Sequence, residues 1–442
     1  MPLDISFKKA TASAILCTAI AATGTFVAAP AVAQDGAVTG EIRFSWWGGP
    51  GRNEKTDKIL TLFEADNPGV SVLRENSGWP EHWDKLTIQS SAGNQPCTIQ
   101  MQSRWLATYA KPNILMPLDD LIADGAFNLD GIAAGTMATG VGDDGQTYMI
   151  PSGVFFSALM YNQTWLENAG LEYPADGYSW DDYAAFLREM KAHMPDGAYV
   201  THNLGQETDA FVTYVQSQGH KVFEGTNVAF PKQAMIDWIT YWEGLRADGV
   251  TNSAEVMVEE NGSLIEESNI ANGRTFSTAR PPNRLDSHQI VIDTVRPGDQ
   301  LTIARYPTGS AGSGQDTGSN GIAIGATCPE ELMPAAIAWV NFFTQDPRAA
   351  EIYESDNGVV AVAQFQEAQA NAPTTSRGQR EQILLFSELA STEQLKPIAW
   401  PSGGNGAITE ALGRAYQAVA FGQMDAAEAT DIFFEEMDDL LN

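Results

Sequence analysis

The feature that most narrows the folds open to this chain is the alternation of strand-like and helix-like patterns between residues 41 and 123. Residues 41–47 are a largely apolar run closing on Trp46 and Trp47, and Gly48-Gly49 break it. Residues 55–66 carry Ile59, Leu60 and Phe63 at helical spacing and stop at Asn67-Pro68-Gly69, a strong breaker cluster. A short strand at 70–73, a helix at 79–92 and a short strand at 98–101 follow, then helices at 106–110 and 118–123. This βαβαβ order predicts an α/β unit with a mainly parallel sheet.

Neighbouring side chains of a strand point to opposite faces, so Trp46 and Trp47 cannot both enter the core of a one-sided sheet. At least one is expected to look out from the C-terminal edge of its strand, the edge where open α/β sheets take ligands. Further along, residues 146–161 read as extended. Ser179-Trp180-Asp181-Asp182 opens a helix running to about 193, with Ser179 as cap and the two aspartates suited to the first-turn dipole. Helices are expected at 208–218, 231–248, 330–343, 407–422 and 425–441, and a strand at 322–324. The Gly/Ser-rich stretch 309–321 reads as a flexible connector.

The start of the chain sets the expected compartment. Lys8 and Lys9 precede a small and apolar stretch at 10–29, and Ala31-Val32-Ala33 offers a small-x-small cleavage site before Gln34. Residues 1–33 are therefore expected to be a cleaved signal peptide. Its threonines, serine and glycine make the stretch a poor membrane span, and Cys17 is misplaced for lipidation. Cleavage removes Asp4, Lys8 and Lys9, one net positive charge, taking the formal −31 to −32. A chain this acidic repels nucleic acid and anionic membranes. Cys97 and Cys328 are the cysteines left in an oxidising space, so a single disulfide is open to them.

Catalytic and cofactor patterns fail on inspection. The five histidines show no metal-ligand spacing. Gly309-x4-Gly314 has the glycine spacing of a phosphate loop, but Gln315 and Asp316 stand where Lys and Ser or Thr are needed. No G-x-S-x-G elbow is present. No cofactor or metal is expected. Trp79, Trp105, Trp180 and Trp400, with Asn76, Gln102, Asn203 and Asn283, fall instead at the edges of elements. Aromatic faces for stacking and amides for hydroxyls are the residue types a sugar site uses.

Nine short stretches, in order, then resemble one family. They are Trp46-Trp47-Gly48-Gly49 with Arg52, residues 63–70, His82-Trp83-Asp84-Lys85-Leu86, residues 99–102, Leu118-Asp119-Asp120, residues 144–151, Tyr161-Asn162, Ser179-Trp180-Asp181-Asp182, and residues 420–429. The chain resembles the extracellular solute-binding proteins of family 1, the sugar-binding receptors of bacterial ABC importers. The resemblance implies an α/β fold of type II periplasmic-binding-protein topology, with two lobes, hinge segments and a ligand cleft between them. It implies an N-terminal lobe of 41–149 plus 318–356, a C-terminal lobe of 150–315 plus 359–442, and crossings near 147–153, 312–320 and 355–362.

The ligand contacts implied by the resemblance, together with the element-edge aromatics, are Trp46, Trp47, Trp79, Gln102, Arg104, Phe155, Arg280, Asn283, Asn357, Trp400, Ser402 and Gly403. Gln102 stands where the family often has an acid. Cys97 replaces a usual aspartate, and the strands that the resemblance makes neighbours would bring it to Cys328 as a disulfide. The implied partners are a carbohydrate ligand and the permease of an ABC importer, with the protein periplasmic and monomeric. A neutral oligosaccharide is the first expectation. Arg104, Arg280 and Arg284 leave an acidic sugar open, and a non-sugar solute or a secreted glycan hydrolase are the alternatives.

Overall fold

The computed structural model describes residues 38–260 and 264–442; the expected signal peptide, 1–33, lies outside the described residues. In chain order the strands are β1 Gly40–Trp47, β2 Val70–Ser77, β3 Thr98–Gln102, β4 Met149–Phe156, β5 Ala158–Asn162, β6 Tyr199–Thr201, β7 Phe223–Glu224 and β8 Asn227–Val228. They continue with β9 Thr275–Arg280, β10 Leu301–Ala304, β11 Asp316–Ile324, β12 Val359–Val360 and β13 Lys396–Pro397.

Two sheets organise them. The first runs β2-β1-β3-β11-β4-β12, with β13 pairing β11, and the second runs β10-β5-β9-β6. In the first, β1 is parallel to β2 and β3, joined to them through the helices Pro50–Asp66 and Trp79–Ser91. That is the crossover the βαβαβ pattern calls for. The remainder departs from the parallel expectation: β11 is antiparallel to both β3 and β4, and β12 is antiparallel to β4. The second sheet is antiparallel but for the β6–β9 pair. The cause is visible at Ser157, the one residue between β4 and β5, which passes the chain from the first sheet to the second with no helix between.

The first sheet is packed on both faces, and this corrects the expectation for the tryptophan pair. Ile42, Phe44 and Trp46 face Phe63, Trp339 and Phe343 in one apolar cluster. Trp47 points the other way, into a cluster with Trp83, Leu86, Ile99 and Met101. Alternation sends the two indoles apart, yet neither reaches solvent: Trp46 is 1 % exposed and Trp47 5 %. A larger core, including Phe211, Trp238, Trp242, Phe276, Tyr416 and Phe433, fills the half around the second sheet.

The glycine-rich connector is also corrected in part. Its residues from 316 onward belong to β11, a central strand buried along its whole length. A Cβ on Gly318 would stand 2.5 Å from Cζ of Phe155, so glycine here admits close packing within the sheet. Cys97 and Cys328 are bonded, with Cα atoms 4.6 Å apart, tying the start of β3 to the turn after β11.

Local signals account for several element ends. Ser179 caps the helix Trp180–Met190, and Asp182 reaches back to the Ser179 amide to close a capping box. Among the described residues no helix is long and apolar enough to cross a membrane.

Candidate functional site

Where the two sheets approach, the ends of several elements enclose a cavity of about 260 Å³. Gln102 enters it from the end of β3, and Arg104 from the turn Ser103–Trp105 just beyond. Phe155 and Phe156 come from β4, Asn320 from β11, and Asn357 with Gly358 from the turn before β12. The second sheet contributes Asn283 and Arg284, on the turn Pro282–Arg284 that follows β9. Arg52, Asp209 and Gln382 close it from the helices Pro50–Asp66, Thr208–Ser217 and Arg377–Ser391. Hollows of about 740 and 680 Å³ lie elsewhere, one among helices near Ala370 and Phe386, the other along the outer face of Pro50–Asp66. The smaller cavity is the one into which polar groups converge from both halves, the feature that marks a recognition site.

An amide chain forms its floor. Gln102 Nε2 donates to Asn320 Oδ1 at 3.2 Å, and Asn320 Nδ2 donates to the Asn357 carbonyl at 2.9 Å and to Asn357 Oδ1 at 3.1 Å. Two amide atoms of lining residues have no partner among the described residues, Asn357 Nδ2 and Gln382 Oε1. They are one donor and one acceptor buried behind the lining surface.

The charges are arranged in pairs. Arg104 Nη2 donates to Asp209 Oδ1 at 2.7 Å and to Asp316 Oδ2 at 3.3 Å, spanning from the first sheet to a helix of the other half. Its guanidinium lies between rings, 5.3 Å from the Phe155 centroid and 5.6 Å from that of Trp400. Burial pushes the Asp316 carboxyl up, against the Arg104 charge that pulls it down. Arg52 Nε donates to Asp356 Oδ2 at 2.7 Å and its Nη2 to the Asp356 carbonyl at 2.9 Å.

Of the residues expected from sequence, the structure brings Gln102, Arg104, Phe155, Asn283 and Asn357 to this cavity. The others stand off its lining. The Trp46 indole donates to Asn53 Oδ1 at 2.9 Å inside the core. Trp47 is enclosed by Trp79, His82 and Trp83, and Trp79, 39 % exposed, meets it edge-on at 5.0 Å. Arg280 is tied to Glu260 at 3.0 Å. Trp400 is buried against Phe223 beneath Arg104. Ser402 donates to Thr108 Oγ1 at 3.2 Å, and Gly403, at φ +73°, is the N-cap of the helix Gly404–Ala420.

The polar lining residues that sequence reasoning did not single out are Asp209, Asn320, Asp356 and Gln382. Asn320 lies 218 residues from its partner Gln102, and no local pattern links them. The helix carrying Gln382 does have a readable start, because Ser376 and Gln379 form a capping box.

Comparison with known proteins places this geometry in context. A family profile described as bacterial extracellular solute-binding protein matches residues 58–379. A binding protein of Brucella abortus is 28 % identical over 216 residues, 46 % of this chain and 50 % of the relative. The alignment thus spans about half the length of the curated relatives the chain matches. A periplasmic oligogalacturonide-binding protein from Yersinia enterocolitica superposes with a TM-score of 0.77 at 22 % identity, over 91 % of this chain and 98 % of that one. A family 1 extracellular solute-binding protein from Alicyclobacillus acidocaldarius gives 0.75 at 21 % identity, over the same shares. These structures establish the two-lobe α/β fold.

Proposed function

The chain belongs to the bacterial extracellular solute-binding proteins, and from that premise we propose that it captures a carbohydrate and delivers it to the permease of an ABC importer. The observation that carries this reading is the set of amides, Gln102, Asn283, Asn320, Asn357 and Gln382, converging on one cavity from both halves. An amide donates and accepts at once, as a rim of sugar hydroxyls requires. The oligogalacturonide-binding protein of similar fold supports a carbohydrate. The carboxylates on the lining, Asp209 and Asp356, are each held by a guanidinium, an arrangement suited to binding rather than to acid–base work on a glycosidic bond.

In this reading residues 41–149 with 318–356 form one lobe and 150–315 with 359–442 the other. Ligand that touches both lobes favours the closed state, and ligand that touches one equally in either state shifts nothing. Each hydrogen bond contributes about 0.5–1.5 kcal/mol net, so several of them, with Phe155 as an apolar face, reach the roughly −8 kcal/mol of micromolar binding. The protein is exported through its cleaved leader to the periplasm, acts as a monomer and releases its ligand unchanged. Calorimetric titration with mono- and oligosaccharides, neutral and acidic, tests this. Micromolar binding with the sugar recovered intact is expected. Absence of heat from every saccharide, or release of new reducing ends, would contradict it.

A further inference from the structure

The cavity lining is richer in charged and amide side chains than in aromatic rings. Aromatic contact on its lining is limited to Phe155 and Phe156, while the indoles expected to stack on a ligand are in the core or off the lining. Arginine is over-represented instead. With 25 Lys and Arg in 442 residues, 15 lining positions would hold about one by chance, and they hold three, Arg52, Arg104 and Arg284. A chain of net charge −31 has no shortage of surface carboxylates to offset, yet it gathers these cations in one hollow.

The three are not equivalent. Arg52 is committed to Asp356, and Arg104 to Asp209 and Asp316. Arg284 makes no side-chain hydrogen bond or ion pair among the described residues, and it is exposed on the cavity wall. Its backbone is fixed: Pro281 and Pro282 precede it, its amide donates to the Pro281 carbonyl at 3.0 Å, and its own carbonyl lies 2.8 Å from His288 Nδ1. Asp209 and Asp356 pair with the first two cations, and Arg284 is the lining cation without a carboxylate partner among the described residues. Glu260, behind this wall, is neutralised by Arg280. Glu207, which precedes the helix bearing Asp209, is pushed up by burial, towards its uncharged form.

We propose that the cavity selects a saccharide bearing an anionic group, a uronate or a sulfate, and that Arg284 is the side chain that reads that group. A guanidinium offers a planar two-donor fork to the oxygens of either anion. Neighbouring Asn283, exposed on the same turn, would then take a hydroxyl. This inference rests on the carbohydrate reading above and departs from the neutral oligosaccharide that the sequence favoured.

The test is calorimetry on the whole secreted protein with matched pairs: digalacturonate against its dimethyl ester, and a sulfated disaccharide against its unsulfated parent. In one pair the charged member is expected to bind at least tenfold tighter, with the advantage shrinking as salt is raised. The pair that shows it identifies the anion. Arg284→Gln should reduce the preference below threefold with an unchanged Tm, and Arg284→Lys should retain part of it by keeping the charge. Equal binding of charged and neutral members, or a preference that survives Arg284→Gln, overturns the inference and leaves carbohydrate binding standing. Failure of all four sugars to bind, with binding of some other neutral saccharide, overturns the inference alone; failure of every saccharide overturns both.

Discussion

The aromatic cluster beside β1 and the polar cavity beyond the ends of β3 and β4 draw on neighbouring stretches of chain but are built to opposite rules. In the cluster, Trp47, Trp79, Trp83, Trp105 and Tyr109 meet one another ring to ring, with Trp83 and Trp105 stacked at 4.7 Å. Each such pair contributes about 0.5–1.5 kcal/mol beyond burial. In the cavity, amides from separate elements hydrogen-bond one another, and the exposed Arg284 side chain has no partner among the described residues. Indoles here stabilise the frame, and polar side chains line the cavity. A tryptophan-rich stretch of sequence is therefore no guide to where the polar cavity lies.

Substitutions that separate the two regions test this division. The largest loss is expected for Trp46→Ala in the core, about 3–5 kcal/mol of stability by urea denaturation, with ligand affinity of the folded fraction little changed. Replacing Cys97 and Cys328 by serine together should cost about 2–5 kcal/mol, again by denaturation, because the bridge closes a separation of 231 residues.

Acid should act next. Burial brings His82, which lies against Trp47 and Trp83, down to about 4, and His202 down to about 3. Neutral imidazoles are favoured in the fold, so the stability they contribute is present above pH 6.5 and is lost as pH falls through the folded values. By pH 5 each is expected to have given up about 2 kcal/mol. Unfolding measured from pH 7 to 4 should show this limb, and His82→Gln should shallow it. Smallest is Asn283→Ala on the cavity wall: stability within about 0.5 kcal/mol of the parent, but saccharide affinity down roughly two- to twelvefold by calorimetry, the worth of one hydrogen bond. A large stability loss for Asn283→Ala, or a large affinity loss for Trp46→Ala with stability intact, would break the comparison.

Periodicity made the frame legible. Ile59, Leu60 and Phe63 mark the first helix, Asn67-Pro68-Gly69 its end, and Ser179 the capped start of another, all from interactions a few residues apart. What periodicity could not show was that the sheet is covered on both faces, which buries Trp46 and Trp47 together, because the covering helix Met333–Gln345 comes almost three hundred residues later. The glycines of β11 misled for a related reason. In a sequence they signal a loop, whereas Gly318 is small because Phe155 packs on it from the neighbouring strand. The cavity was half legible. Gln102, Arg104, Phe155, Asn283 and Asn357 sit at element ends that motif positions pick out, while Asn320 and Gln382 reach it through strand pairing and helix packing that are set by tertiary contacts alone.

The most direct test is a crystal structure of the protein with the saccharide it binds most tightly. The sugar is predicted to lie between Gln102, Asn357 and Asn283, its hydroxyls on the amide groups and Phe155 against its apolar face. A sugar stacked on Trp79, with the amide cavity left to solvent, would contradict the account.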